Sequence, residues 1–301
     1  MSNELNEKMV PIAELLSEQN ALLREQNKNL TNLFRKTVEQ SRMLEVLGRA
    51  TLREVLAEVD LHIQQRQLSM METMKSVSNG RSLARWGDGE VKLMLQPEFD
   101  LMFQRADPKL ASDLKDLLVN YDRDAERILL AFPTIFTSRL WQGIWAENWH
   151  LMRPILELSN QSFANTHVSR PLFFQRHGDD AVNAWREVWD GKKVCIVAGK
   201  GSKFELIPQL FDNAKSIERI DSLPKDAYSD ITRLKQLLAD HSDSDIYLIA
   251  LGPTGTVLAG WLASHEGGER HAIDVGHLAS SYLNVYEGGA IPERIALVRE
   301  T

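Results

Sequence analysis

The composition of the chain changes sharply near residue 80. The first 79 of its 301 residues contain one glycine, one proline and one aromatic residue (Gly48, Pro11 and Phe34), and sixteen glycines, nine prolines and twenty-one aromatic residues follow. A segment without turn-forming residues that is rich in Leu, Glu, Gln, Asn and Arg is either a long helix or disordered. This division predicts a helical region over 1–79 and a folded domain over 80–301.

Leucines at heptad spacing favour a helix in the first region. The two rows of the repeat are Leu16, Leu23 and Leu30, and Ile12, Gln19, Gln26 and Leu33. Together they form an a/d seam whose second row is polar in its middle. The pattern predicts a coiled coil through which the chain forms homo-oligomers. The alternative is a single amphipathic helix that packs on its own domain.

Overall composition argues against several classes of protein. The formal net charge is −7 and no cluster of Lys and Arg stands out, so we expect no nucleic-acid partner. A single cysteine, Cys195, excludes an internal disulfide framework and a cysteine-cluster zinc site. No apolar run approaches the roughly 20 residues that span a bilayer, and the N-terminus lacks the pattern of a secretory signal. We therefore expect a soluble cytoplasmic protein without a transmembrane segment.

From residue 80 onward, short apolar runs alternate with helical stretches. The predicted strands are Ser82–Trp86, Ile128–Phe132, Val194–Ala198, Ile217–Asp221, Ile246–Leu251 and Ala272–Val275. The predicted helices between the last four strands are Lys203–Phe211, Ser229–Asp240 and Thr254–Ser264. Most of the strands are continuously apolar, which is typical of strands covered on both faces of a parallel sheet. The pattern predicts an α/β fold with a Rossmann-like, doubly wound parallel sheet.

Two carboxylates follow the first predicted strand, in the sequence Arg85-Trp86-Gly87-Asp88-Gly89-Glu90. Ligands of open parallel sheets collect beyond the carboxyl ends of the strands. Asp88 and Glu90 can turn towards one point there and share a divalent cation, because Mg²⁺ and Mn²⁺ prefer carboxylate oxygens. The alternative is a polar turn in which Asp88 caps a helix that begins at Val91.

Other polar segments at predicted strand ends are candidates for binding phosphate. Gly199-Lys200-Gly201-Ser202 and Gly252-Pro253-Thr254 combine glycines with a helix start, although neither completes a P-loop or a dinucleotide fingerprint. Asn165 and Arg170 lie in a polar segment before a proline, and arginine suits bidentate phosphate contacts. His277 follows the last strand as a candidate base or phosphate partner. The alternatives are ordinary turns, a surface loop and a structural histidine.

Five collinear segments between about residues 80 and 280 carry a resemblance to a known family. They are Ser82–Glu90, Asn165–Pro171, Leu210–Ile217, Ala250–Ala259 and Ala272–His277. Together they resemble the bacterial GT-D fold glycosyltransferases, formerly a domain of unknown function. Trp86 stands where the family is expected to have phenylalanine and Gly255 where alanine is usual, but neither departure alters the paired carboxylates.

The resemblance implies a Rossmann-like GT-D domain that uses a nucleotide-sugar donor, with a UDP-sugar expected. The domain would transfer the sugar to a glycan or glycoconjugate acceptor. Asp88 and Glu90 would bind Mn²⁺ or Mg²⁺ at the donor diphosphate. The other expected donor-binding residues are Arg85, Asn165, Arg170, Gly199, Lys200, Gly252 and Thr254.

An acceptor hydroxyl also needs a general base if the transfer inverts the sugar configuration. His277 and Glu205 are the candidates for a catalytic role, with Asp274 as a further possible base. We expect the protein to act at the inner face of the membrane with the machinery that assembles glycans. The alternative function is a non-catalytic nucleotide-binding scaffold that oligomerises through its N-terminal helices. A methyltransferase is disfavoured because its glycine-rich loop is lacking.

Overall fold

The computed structural model describes residues 2–134, 139–202, 204–240 and 243–288, with side chains from residue 14 onward except that of Arg139. Contacts divide the chain into two compact units, one ending at Glu54 and the other beginning at Val55. Among the described residues, no helix is both long enough and apolar enough to cross a membrane.

The first unit consists of one helix. This helix, α1 (Ser2–His62), continues into the second unit and confirms the long N-terminal helix that the missing turn residues predict. Leu16, Leu23 and Leu30 are exposed by 54 %, 55 % and 63 %. The side chain of Ile12 lies outside the described residues. A heptad row of leucines is buried only when a second helix packs on it, so coiled-coil pairing stays a prediction.

The second unit is built on a sheet of seven strands, all paired in parallel. The strands are β1 (Ser82–Arg85), β2 (Ile128–Phe132), β3 (Ala164–Asn165), β4 (Lys193–Gly199), β5 (Ser216–Ser222), β6 (Ile246–Ala250) and β7 (Ala272–Asp274). Their order across the sheet is β3-β2-β1-β7-β6-β4-β5. From β1 the chain adds β2 and β3 on one side of the sheet, and the strands from β4 onward form the other side. The direction of strand addition therefore reverses between β1 and β7, which is the topological switch point of the sheet.

Helices cover both faces of this sheet and confirm the doubly wound α/β fold. One core lies between the sheet and α3 (Asp88–Leu95), α4 (Pro108–Val119), α6 (Arg139–Leu156), α10 (Ile231–Asp240) and α11 (Pro253–Ala263). The other lies beneath α2 (Met70–Ser78), α7 (Pro171–His177), α8 (Asp179–Trp189), α9 (Pro208–Phe211) and α12 (Leu278–Tyr286). Successive strand residues point into alternate cores, for example Leu129 into one and Leu130 into the other. A short helix, α5 (Tyr121–Asp124), precedes β2.

The structure differs from the predicted elements in three places. The predicted helix Lys203–Phe211 is limited to α9, which has Pro208 in its first turn, and Lys203 itself lies outside the described residues. Strand β3 has only two residues and therefore leaves no apolar run to recognise. Strand β5 is not covered on both faces, because it lies at the edge of the sheet and four of its seven residues are exposed.

Candidate functional site

A cavity of about 510 Å³ opens where the strands of the sheet end. It extends along the carboxyl edge from β1 across β7 and β6 to β4. The predicted site residues that line it are Arg85, Asp88, Glu90, Arg170, Gly199, Lys200, Gly252 and His277. Asn165, Thr254 and Glu205 are not among its lining residues. The parallel topology thus brings together side chains that lie up to about 190 residues apart in the sequence.

Asp88 and Glu90 enter the cavity from the first turn of α3. Gly87 is the N-cap residue, and its backbone N–H donates to Oε2 of Glu90 at 2.7 Å. Glu90, rather than Asp88, therefore makes the cap contact, and the helix begins at Asp88 and not at Val91. The cap leaves the Asp88 carboxylate at the cavity wall, partly accessible to solvent.

The Glu90 carboxyl group is desolvated and lies near a second carboxylate. Its burial, together with the negative charge of Asp274, raises the pKa of Glu90 to about 7, although the Gly87 N–H and Arg85 act in the opposite direction. A cation beside this carboxylate would compensate its charge. The chemistry of the two carboxylates Asp88 and Glu90 therefore fits a hard divalent cation.

Asp88 and Glu90 would supply only part of a coordination shell. In the part of the chain that the structure describes, no three His, Cys, Asp or Glu side chains converge on a ready metal site. A shell completed by water and substrate phosphates is common for Mg²⁺, which is bound in many enzymes through one or two carboxylates. Two carboxylates at a cavity wall are consistent with a cation that binds together with its substrate.

Arg85 is held by a buried network at the junction of β1 and β7. Its Nη2 donates to Oδ1 of Asp274 at 2.9 Å, its Nε donates to the Asp274 carbonyl at 2.6 Å, and its Nη1 donates to Oγ of Ser169 at 2.6 Å. The hydroxyl of Thr256 contacts both the Arg85 carbonyl and Oδ2 of Asp274. These contacts fix the guanidinium at the floor of the cavity.

Asn165 and Thr254 support the site from behind its lining. The side-chain oxygen of Asn165 accepts from the His167 N–H at 3.0 Å and so caps the 3₁₀ turn Thr166–Ser169, which is followed by Arg170. Thr254 is fully buried, and its hydroxyl donates to Gln104. Glu205 is exposed and lies outside the cavity lining.

Two histidines near the cavity carry lowered pKa values. Desolvation and the charges of Arg170 and Arg85 lower the pKa of His277 to about 4, although this residue keeps an exposed face. His167 is 5 % exposed, and neither of its ring nitrogens has a hydrogen-bond partner among the described residues. Burial, Arg170, Arg176 and Arg85 lower its pKa to about 4. Both rings are therefore neutral at pH 7.

The sequence contains no indication that the segment between α3 and α4 belongs to the site. Leu101 and Phe103 from this segment line the cavity, and Gln104 is 4 % exposed. The Gln104 side chain accepts from the backbone N–H of Tyr228 at 3.2 Å. The segment has no apolar run of strand length and no glycine, which are the signals that identify the other cavity residues.

Glycine turns, paired carboxylates and cationic side chains lie together at the carboxyl edge of this Rossmann-like sheet, the edge at which α/β proteins commonly bind phosphorylated ligands. The family profile described as "Glycosyltransferase GT-D fold" matches residues 83–297, and the chain belongs to this family of glycosyltransferases.

Similar proteins include both sequences and solved structures. The chain is 29 % identical over 233 residues to "Probable glycosyl transferase Gly" of Streptococcus gordonii, covering 73 % of this chain and 33 % of that protein. It is 28 % identical over 273 residues to "Glycosyltransferase GlyD" of Streptococcus pneumoniae serotype 4, covering 87 % and 32 %. The chain thus spans about a third of the length of these curated relatives.

Two solved structures share the fold. One is a domain of unknown function 1792, described as having a distinct glycosyltransferase fold, with a TM-score of 0.67, 25 % identity and coverage of 82 % of this chain and 88 % of that chain. The other is a "new glycosyltransferase" from Streptococcus sanguinis, with a TM-score of 0.62, 26 % identity and coverage of 74 % and 85 %. Both are consistent with the family assignment.

Proposed function

We propose that this chain is a metal-dependent glycosyltransferase that moves a sugar from a UDP-sugar to a glycan or glycoconjugate acceptor. The observation that carries the proposal is one cavity in which Asp88 and Glu90 lie together with Arg170, Lys200 and His277. A nucleotide-sugar donor has a diphosphate between two neutral groups. A wall that combines carboxylates for a cation with separate cationic side chains suits that charge distribution.

The residues of the cavity would act mainly on the charge of the leaving group. Asp88 and Glu90 would hold Mn²⁺ or Mg²⁺, which would neutralise negative charge on the diphosphate as the sugar leaves. Arg170 adds positive charge from the turn before α7. Lys200, in the loop after β4, adds positive charge at the far end of the same cavity. Arg85 contributes from the floor, where its contacts with Asp274 and Ser169 restrict its movement.

His277 is the general base that we propose for the acceptor hydroxyl. It lines the cavity and is neutral at pH 7, so its ring can accept a proton. Binding of an anionic donor near Arg170 would offset the arginine charge that lowers the pKa of His277. Glu205 lies outside the cavity lining, and Asp274 is engaged by Arg85, so both have less access to an acceptor.

The proposal is tested by following release of UDP from a panel of UDP-sugars with Mn²⁺, with Mg²⁺ and with EDTA. We expect slow, metal-dependent hydrolysis of at least one donor without acceptor, and faster UDP release when a suitable acceptor is added. His277→Ala should lose the acceptor-dependent release and keep the slow hydrolysis. Tight nucleotide binding without turnover of any donor, with or without candidate acceptors, would favour the non-catalytic scaffold. Failure to bind any nucleotide would contradict both functions.

We also propose that the chain forms a homo-oligomer through the leucine seam of α1. Exposed leucines at heptad spacing support this proposal, since such a row is buried only against another helix. Light scattering should give a mass of at least two chains, and Leu23→Glu in the seam should reduce it. Ala21→Glu adds the same charge on the opposite side of the heptad pattern and should leave the mass unchanged. A monomeric full-length chain, or equal effects of both substitutions, would contradict the proposal.

A further inference from the structure

The cavity is divided into a charged half and an apolar half. Around the ends of β1 and β7 its lining holds five ionisable side chains, those of Arg85, Asp88, Glu90, Arg170 and His277. Around the ends of β6, β4 and β5 the described lining residues are apolar or glycine, apart from Lys200 and Ser202. The apolar side chains there include those of Phe103, Leu223, Pro224 and Leu251. The two halves therefore suit chemically different parts of one ligand.

Phe103 forms a fixed wall of the apolar half. A β-carbon placed on Gly252 would lie 2.8 Å from the Phe103 ring, so the ring packs directly on the backbone after β6. Gly252 has a φ of +56°, a backbone conformation that glycine adopts without strain. Phe103 is nevertheless 46 % exposed. A large aromatic side chain that lines a cavity and remains half exposed is suited to contact a ligand.

The turn that carries Phe103 is tied down on both sides. Leu101 and Gln104 pair through two backbone hydrogen bonds, of 2.8 Å and 3.3 Å. The Phe103 carbonyl accepts from the backbone N–H of Asp226 at 2.8 Å, and Oδ1 of Asp226 accepts from the Arg105 N–H at 2.7 Å. The ring is thus presented by an anchored turn, and less ordering is needed when a ligand binds.

We propose that the donor lies along the carboxyl edge of the sheet with its diphosphate over β1 and β7 and its nucleobase against Phe103 above Gly252. This inference rests on the proposed function and adds the orientation of the donor and the residue that contacts the base. β6 lies two strands from β1, which is about 10 Å at the usual strand spacing. In a nucleoside diphosphate the ribose and the α-phosphate lie between the base and the β-phosphate and span a gap of this order.

The test compares UDP with inorganic pyrophosphate, each titrated into the full chain in the presence of Mn²⁺, with GDP as a second nucleotide. Pyrophosphate carries the charge of the diphosphate but has no base. Phe103→Ala should weaken nucleotide binding about tenfold, the usual scale of a lost stacking contact. It should leave pyrophosphate binding within about twofold of the unchanged protein, because the charged half is untouched. Phe103→Leu, which keeps apolar contact with Gly252, should bind UDP with intermediate affinity.

Met102 provides a matched control, because it lies in the same turn, is 95 % exposed and does not line the cavity. Met102→Ala should bind UDP, GDP and pyrophosphate like the unchanged protein. Unaltered nucleotide affinity in Phe103→Ala, or an equal loss of nucleotide and pyrophosphate, would overturn the orientation while leaving the proposed function in place. Pyrophosphate binding without nucleotide binding in the unchanged protein would contradict the proposed donor class itself.

Discussion

Replacing Asp274 by asparagine should destabilise the protein by about 3–5 kcal/mol, the usual cost of breaking a buried ion pair from one side. The side chains of Arg85 and Asp274 are 7 % and 2 % exposed, and Nη2 and Oδ1 lie 2.9 Å apart. At this distance an effective dielectric constant of about 20 gives a Coulomb attraction of about 6 kcal/mol. Asparagine keeps the size of the side chain but leaves the Arg85 charge buried without its partner.

Urea denaturation of the full chain measures this effect as a shift in the unfolding midpoint at constant slope. The double variant Arg85→Met/Asp274→Leu should recover most of the lost free energy of unfolding, because it removes both buried charges. Asp221→Asn is a control, since its ion pair with Arg219 lies at the surface and contributes at most about 1 kcal/mol. A change below about 1 kcal/mol in Asp274→Asn would refute the view that a desolvated ion pair holds β1 to β7.

Two further predictions concern the cationic and neutral side chains around the cavity. Arg170→Ala should weaken UDP binding by about 1.5–3 kcal/mol through loss of a charge-assisted contact. Arg176 is an exposed arginine on α7, and Arg176→Ala should have little effect. Equal calorimetric affinities of Arg170→Ala and the unchanged protein for UDP would contradict this role of Arg170. The pKa of His167 is about 4 in the folded chain and near 6.5 in the unfolded chain. Between these two pH values the unfolded state binds more protons than the folded state. The free energy of unfolding therefore falls as the pH is lowered from about 6.5 to about 4. Between pH 7 and pH 5 the protonation of His167 in the unfolded state should lower the free energy of unfolding by about 2 kcal/mol. In His167→Gln the decline of this free energy, measured by urea denaturation at the two pH values, should be smaller by that amount. Equal declines in the variant and the unchanged protein would show that His167 does not contribute.

Most of the sheet could be predicted because most of its strands are buried on both faces. Val194–Ala198 and Ile246–Leu251 are continuous apolar runs, and the structure confirms them as β4 and β6 within one residue at each end. The turns after β1, β4, β6 and β7 could also be located, since glycine marks them. The predictions failed at α9, β3 and β5. α9 and β3 are too short to produce a recognisable hydrophobic period in the sequence. The exposure of β5 depends on its place at the edge of the sheet.

The parts of the site that could not be predicted depend on tertiary contacts. The order of the strands decides that Asp274 pairs with Arg85 across 189 residues, and no pattern in the sequence contains that order. Phe103 follows neither a strand nor a glycine, so its position at the cavity becomes evident only once the backbone of Gly252 is placed beneath its ring. The burial of the His167 ring and the hydrogen bonds of Gln104 to Tyr228 and Thr254 also depend on tertiary contacts, so the sequence does not predict them.

The proposed function requires that Asp88 and Glu90 together hold a divalent cation at the donor diphosphate. This is tested by calorimetric titration of UDP, with and without Mn²⁺, into the variants Asp88→Asn and Glu90→Gln. Both substitutions keep the side-chain size, and the introduced glutamine amide retains an oxygen for the Gly87 N–H. Glu98→Gln, which replaces an exposed carboxylate just after α3 that does not line the cavity, is the control. We predict that Mn²⁺ strengthens UDP binding in the unchanged protein and in Glu98→Gln but not in the other two variants. Undiminished Mn²⁺-dependent affinity in both Asp88→Asn and Glu90→Gln would contradict the claim.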